Sequence, residues 1–415
     1  MDDTPIFMGH LLVENDLIKE ISSTPINEEG VDIIKECRGN LLMPGFKNAH
    51  AHSAMSFLRS KTDGLKLQDW LFNVVIPREE EFIKDDVYHF AKVAILEYLS
   101  GGITACFDQY YTPLETAKAA KEMGFRIVLL GTYNDSYQKV VDVYHQINDE
   151  KDSLVSYCLG IHAEYTLQEH ELPMMKKLID ELHSPFFVHI AETEKEVKEC
   201  YERRGCSPVE FFIKEGLYDF GGGGYHCIYF SKKDMELYKD KGLYVVSCPG
   251  SNSKLASGIP PILEYLKMGI PVALGTDGPA SNNCLDMFKE MSLTFSLQNL
   301  ANHNPACLSS YEILKMATVN AARAMGLKNA DILEKNKKAD IIMIDLSRPS
   351  MQPINDIITN IVYSGNKDVI KMTMINGRIL YEDYKFNLDE DIETIYQNAS
   401  KAKDDLEKRY LSKKH

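Results

Sequence analysis

The sequence predicts an α/β fold: a (β/α)8, TIM-like barrel with a small flanking β-sandwich domain formed from both chain ends. Three observations carry this reading. Strand-like apolar runs alternate with amphipathic helical stretches through the middle of the chain, there are eight such runs, and β-like segments return after residue 330 that resemble those near the N-terminus. Strands alternating with helices argue for a parallel sheet. Eight repeats argue for a closed barrel over an open doubly wound sheet. No G-x-G-x-x-G follows the first run, which counts against a dinucleotide-binding fold.

Near the N-terminus, "FMGHLLVE" and "LIKEIS" are short apolar stretches broken by polar, Gly and Pro residues, and they predict a few β-strands. The eight barrel strands are then expected at 40–50, 102–110, 126–133, 156–164, 185–192, 224–230, 242–248 and 271–277. Between them, "DVYHFAKVAILEYLSGG" and "LETAKAAKEMGF" show helical periodicity and end at Gly, a common helix stop. The segments "ADIIMIDL", "VIKMTMING" and "RILYEDYKF" read as strands again. The expected organisation is a small β-domain from residues 1–42 and 331–390, a barrel from 43–330, and a C-terminal helix from 391–415 that is either solvated or packed. The run "GGGG" at 221–224 lacks a following Gly-Lys-Ser/Thr and reads as a loop, not a phosphate cradle.

Composition narrows the function classes. A net charge of −15 argues against nucleic acid or an anionic membrane surface as partner. No apolar run approaches the roughly 18–20 residues of a membrane span. The acidic start "MDDTPIFMGHLLVEND" lacks the basic region of a signal peptide. The nine cysteines form no C-x-x-C pair and read as reduced thiols, so a cytoplasmic protein is expected.

Chemistry concentrates at the strand ends, where such barrels carry their active sites. The first run ends in "NAHAHSAM", placing His50 and His52 at i and i+2 on one face of a strand. Alone, that pair is either two metal ligands or an accident of composition. The fourth run ends in His162 with Glu164 beyond, the fifth carries His189 and then Glu192, the sixth His226, and the eighth ends in Asp277. The other histidines fall in helical or loop-like stretches, where a surface or structural role is the default. A cluster of buried imidazoles needs partners, so this convergence means a polar network or a metal. Several N/O ligands without Cys suit Zn²⁺, and Fe²⁺ or Mn²⁺ can occupy such sites too. Bland readings stand beside these: Glu192 as a helix N-terminal charge, His226 as a structural histidine, and Asp277 as a turn cap.

The motifs "PGFKNAHAHSAM", "VHIAETEKEV", "GYHC", "SCPGSNSKLASGIPPI" and "LGTDGPASNN" together resemble the amidohydrolase superfamily. Within it, the chain is similar to the 5'-methylthioadenosine/S-adenosylhomocysteine deaminases and their chlorohydrolase relatives, from about residue 10 to residue 385. The resemblance implies that His50, His52, His189 and Asp277 ligate one divalent metal, Zn²⁺ foremost. It implies that His226 hydrogen-bonds the attacking water, that Glu192 shuttles protons, and that Asp277 takes the water proton. The bridging lysine of binuclear members is missing from "GIHAEY". The resemblance also implies a cover over the site in "LKLQDWLFNVVIPREEEF", with Trp70 near the sugar, Glu79 accepting from ribose hydroxyls, and His162 touching the purine. Read without it, Trp70 is loop core and Glu79 a solvated helix residue.

The branch of the family that accepts S-adenosylhomocysteine carries an arginine where this chain has Gly131 in "LLGTYNDS", so a neutral 5'-modified adenosine or adenosine fits better. The expected activity is hydrolytic deamination of an adenine nucleoside. The alternatives are an aminohydrolase or chlorohydrolase of another heterocycle (guanine, pterin or triazine type) and a non-catalytic ligand-binding barrel. The partner is a small molecule, and a homo-oligomer is compatible with the fold. Two departures from the family are a short strand expected before "IFMGHLLVEND", which would leave the β-domain trimmed, and Asn336 in place of a usual Gly at a turn that Asn also tolerates.

Overall fold

The computed structural model describes residues 5–61, 64–132, 136–151 and 153–413. Eight parallel strands form its centre: β4 (Phe46–Ala51), β5 (Ile103–Gln109), β6 (Arg126–Thr132), β7 (Val155–Ala163), β8 (Phe186–Ile190), β9 (Gly222–His226), β10 (Tyr244–Ser247) and β11 (Val272–Leu274), each paired with the next in sequence order. Helices return between most of them, as the period change along the chain predicts. The ring is nearly closed where the segment after β11 meets β4, and there Asp277 N donates to His50 O at 2.9 Å. Gly275 makes that seam possible, because a Cβ on it would lie 2.7–2.9 Å from His50 backbone and Cβ atoms. Small and large side chains such as Ala49, Ala105, Phe107, Leu130, Phe187 and Tyr225 fill the interior. The barrel is therefore a packed core, and its chemistry is confined to the C-terminal rim.

The run at 40–50 is two strands, not one. β3 (Asn40–Pro44) pairs antiparallel with β12 (Ile341–Asp345), and the chain then crosses at Gly45 into β4 of the barrel. The reason is steric: a side chain at Gly45 would sit 2.2 Å from Thr104 Cγ2, so only glycine lets the chain turn between the two sheets there. The second sheet is antiparallel in the order β15 (Lys385–Phe386), β14 (Arg378–Glu382), β13 (Ile370–Ile375), β12, β3, and it draws on both chain ends. A separate ribbon, β1 (His10–Glu14) with β2 (Leu17–Ser22), packs Ile18 against Ala339 and Ile341 and makes a second layer. Asn336 takes a φ of +67° in the turn before β12, as its residue type allows.

A buried ion pair joins the two sheets. Arg126, at the start of β6, donates to both carboxylate oxygens of Asp340, from Nε at 2.6 Å and Nη2 at 2.9 Å, and also reaches Asn376. Lys47 lies beside it with no exposed surface and donates to Thr104 Oγ1 at 2.6 Å; burial pulls its ammonium down to about 8. The C-terminal helix Ile392–Ser412 is a packed element. It buries Ala399, Ala402, Leu406 and Tyr410, and its Arg409 holds Glu81 O and Asp86. Among the described residues no helix is long and apolar enough to cross a membrane.

Removing one partner of a buried bidentate pair leaves the other charge uncompensated, at a cost of ~3–5 kcal/mol. Arg126→Ala is expected to lower unfolding stability by about that amount, and Arg126→Ala/Asp340→Ala by less than the sum of the two single variants. Urea unfolding followed by circular dichroism checks both.

Candidate active site

β4 does not reach the rim as a regular strand. Asn48 pairs with Cys106 and Ala51 with Asp108, so three steps on β4 match two on β5. Such a bulge re-aims side chains, and both His50 and His52 turn inward at its end. His52 Nδ1 donates to Gln109 O at 2.7 Å, and His189 Nδ1, on β8, donates to His162 O at 2.7 Å. With those protons committed to carbonyls, the Nε2 atoms point at one spot. His50 Nε2 and His189 Nε2 face each other at 3.1 Å, while His50 and His52 Nε2 lie 3.5 and 3.2 Å from Asp277 Oδ1. The four ligand atoms lie within 4.8 Å of one another, and all four residues are buried.

This donor set fits a divalent cation. Bare imidazole lone pairs pointing at each other in a buried space have no favourable partner except a proton or a metal, and the carbonyl acceptors behind the rings are the usual orienting partners of ligating histidines. Burial pulls His50 down to about 3 and carries His189 well below the imidazole range, so both rings are neutral. Burial also opposes the charged forms of His52 and Asp277. Their mutual hydrogen bond outweighs it, raising His52 to about 9 and, with His50, holding Asp277 well below the carboxylate range.

The remaining rim groups surround this cluster. Asp277 Oδ2 accepts from Ser251 Oγ at 2.6 Å, and its Oδ1 from Gly278 N at 2.7 Å. His226, the last residue of β9, donates from Nδ1 to Asn252 Oδ1 at 2.7 Å, which leaves Nε2 3.8 Å from Glu192 Oε2 and 4.0 Å from Asp277 Oδ2. Glu192 Oε1 accepts from Ser257 Oγ at 3.0 Å, and burial pushes its carboxyl up. Ala191, His226 and Asp277 all have positive φ (+50°, +69° and +60°), backbone strain that packing sustains at this rim.

One cavity is lined by His52, His162, His189, Glu192, His226 and Asp277 on its floor and by Trp70 and Glu79 on its cover. The cover is the helix Leu67–Trp70, a π-helical turn Leu71–Val75 and the helix Ile76–Glu79. Glu79 is buried and accepts from Tyr110 Oη at 2.5 Å, and burial raises it to about 7. Burial also draws His162 down to about 4, so it faces the cavity as a neutral ring. Glu79 is thus not a solvated helix residue. Trp70 both belongs to the core of the cover and lines the cavity.

The sequence profile of the amidohydrolase family matches residues 41–380. The chain belongs to the amidohydrolase family. It is 36% identical over 387 residues to the 5-methylthioadenosine/S-adenosylhomocysteine deaminase of Caldicellulosiruptor saccharolyticus, covering 92% of this chain and 90% of that one. The enzyme of the same name from Pyrococcus furiosus is 34% identical, covering 93% of each chain. An adenosine deaminase from Xanthomonas campestris, solved with bound zinc, superposes with a TM-score of 0.88 at 27% identity over 96% of this chain and 94% of its own. Atrazine chlorohydrolase from Arthrobacter aurescens, at 22% identity and a TM-score of 0.87 over 95% of each chain, shares the fold.

Several features of this amidohydrolase were not readable from its sequence. Glu164 is buried at the end of β7 but turns away from the cavity, to Arg204 Nε at 2.9 Å and to Arg203, so it is a structural carboxylate and not a rim group. Gly131 faces away as well: a Cβ there would lie 1.7 Å from Tyr157 Oη, and the residue does not line the cavity. Residues 133–135 of the same stretch lie outside the described residues. Among the described residues that line the cavity, none is Lys or Arg. Sequence reading also passed over Ser251, Asn252 and Ser257. Ser251 and Asn252 lie in the short helix Pro249–Lys254 after β10 and Ser257 just beyond it, and their only signal was the run "SCPGSNSKLASG".

Zinc titrated into the metal-free protein is expected to bind at about one ion per chain by elemental analysis, and His189→Ala to lose it. Since His52 holds its proton up to about 9 without metal, uptake should release a proton, and apparent affinity should rise with pH toward that value. Calorimetry in buffers of different ionisation enthalpy measures both.

Proposed function

We propose that this amidohydrolase is a metal-dependent deaminase of adenine nucleosides with a neutral 5' group, such as adenosine, 5'-deoxyadenosine or 5'-methylthioadenosine, and that it releases ammonia. The observation that carries the reading is a single cavity with the His50, His52, His189 and Asp277 cluster at its floor and a buried carboxylate, Glu79, on its cover. A divalent ion, zinc foremost, would be held by those four residues and would supply Lewis acidity for the hydrolytic step.

The chain's own groups then divide the proton work. Asp277 accepts a proton from the water that attacks the ring carbon bearing the amino group. His226, fixed through Asn252, orients that water by hydrogen bonding. Glu192, whose carboxyl is pushed up by burial, gives a proton to the adjacent ring nitrogen, so negative charge does not build up on the purine. The proton that Asp277 took from the water passes to the amino nitrogen, which leaves as ammonia as its bond to the ring carbon breaks. Glu79, braced by Tyr110, accepts from the ribose hydroxyls, with Trp70 beside the sugar and His162 against the purine.

The cover favours a nucleoside over a free base or triazine, since the buried Glu79, hydrogen-bonded to Tyr110, lines the cavity as an acceptor for a hydroxyl-bearing ligand. The intact ligand set beside Glu192 speaks against a barrel that merely binds. S-adenosylhomocysteine brings a carboxylate that no Lys or Arg among the described lining residues receives, and a charge-assisted hydrogen bond contributes ~1.5–3 kcal/mol.

Ammonia release by zinc-loaded protein is expected with the neutral nucleosides, with kcat/KM for S-adenosylhomocysteine lower by at least about tenfold. Glu192→Gln should keep its zinc and lose ~10²–10⁴-fold in kcat. Equal turnover of S-adenosylhomocysteine would remove the charge argument, and silence across the panel would remove the substrate class. Glu79→Ala should raise KM for nucleosides while leaving free-base turnover unchanged in the same assay.

A further inference from the structure

We infer that Glu196 is a positioning residue for Glu192, and that with Ser257 it aims the carboxylate that the proposed reaction uses as its proton carrier. The inference rests on that reading of the site. Glu192 does not lie on a strand. It lies in the short turn between Ile190, the end of β8, and the helix Glu194–Arg204. The turn is strained at Ala191, whose φ is +50° without the freedom of glycine. Such a conformation persists only where its surroundings over-determine it.

Glu196 supplies that constraint from below. One carboxylate oxygen accepts from Ala191 N at 2.7 Å and the other from Glu192 N at 2.9 Å. The residue is 1% exposed. In its helix, Thr193 is the N-cap and accepts from Glu196 N at 3.2 Å. A glutamate three residues into a helix ordinarily reaches back to the cap's own N–H. Here it bonds the Thr193 backbone and also reaches further, to both peptides that set the direction of Glu192. On the opposite side of the turn, Ala191 O accepts from Ile228 N at 3.0 Å and Tyr229 N at 2.9 Å, which ties the turn to the end of β9.

Ser257 completes the arrangement at the other end of the Glu192 side chain. Its Oγ donates to Glu192 Oε1, and its N donates to Asn252 O at 2.9 Å. Asn252 is the residue that holds His226. One short segment therefore sets the spacing between the two groups that face the substrate.

The amide of glutamine offers one acceptor where the turn needs two. In the zinc-loaded full chain, Glu196→Gln is expected to retain zinc, to exchange the Ala191 and Glu192 amide hydrogens at least about tenfold faster, and to lose about 10–100-fold in kcat with KM within about threefold. In the Glu192→Gln background the same substitution should cost no more than about twofold, because residues acting through one group are not additive. Unchanged exchange at those two amides overturns the clamp, and an undiminished kcat loss in the Glu192→Gln background overturns the route through Glu192. If the wild-type protein turns over no nucleoside, the proposed function fails, while the exchange measurement still decides the clamp. If Glu196→Gln does not fold, Ser257→Ala decides: a lower kcat at constant KM, lost in the Glu192→Gln background, supports the aiming, and an unchanged kcat overturns it.

Discussion

Three imidazoles and a carboxylate buried within 4.8 Å of one another set the constraint that the rest of this structure serves. Such a group of ligands cannot be left to itself in a dry interior: lone pairs that face each other repel, and a buried charge without a partner is costly. The fold answers by committing the outer nitrogens first. The carbonyls of Gln109 and His162 take the Nδ1 protons of His52 and His189, so the inner nitrogens can only turn toward the cluster. Those carbonyls belong to neighbouring strands, and the ladder of the barrel is therefore also the scaffold that orients the ligands.

Positive φ at Ala191, His226 and Asp277 shows where this convergence strains the backbone. Regular strands would splay the side chains outward at the rim. β8, β9 and β11 instead end in kinked steps that bring Glu192, His226 and Asp277 back over the packed interior. Buried side chains hold the steps in place: Ser251 at Asp277, Asn252 at His226, and Glu196 with Ser257 around Glu192. The chain ends contribute at a distance. The Arg126–Asp340 pair locks the second sheet to the closed end of the barrel, and the C-terminal helix braces the segment that carries Trp70 and Glu79 through Arg78 and Glu407.

Much of this was legible in the sequence, for reasons of period and position. Alternating strand and helix patterns identify a barrel, a barrel has one reactive rim, and histidines concentrated at strand ends point to it. His50, His52, His189, His226 and Asp277 could be picked out because each closes an apolar run. Glu164 closes one too, and only the position of Arg203 and Arg204 on a later helix shows that it faces away. The run at 40–50 reads as one strand because apolar character continues through it; the collision that a side chain at Gly45 would make with Thr104 is a long-range contact without a local signature.

The sequence by itself determined the fold class, the rim that carries the chemistry and the residue types available there, because these follow from local periodicity and from where polar residues interrupt it. The tertiary structure alone decided how those residues face one another. The 3.1 Å approach of His50 to His189, the burial of Glu79 under the cover, the partners of Glu192 and the absence of Lys and Arg from the described cavity lining all depend on elements far apart in the chain. Packing and hydrogen bonding set such distances, and a linear pattern of residue types carries no record of them.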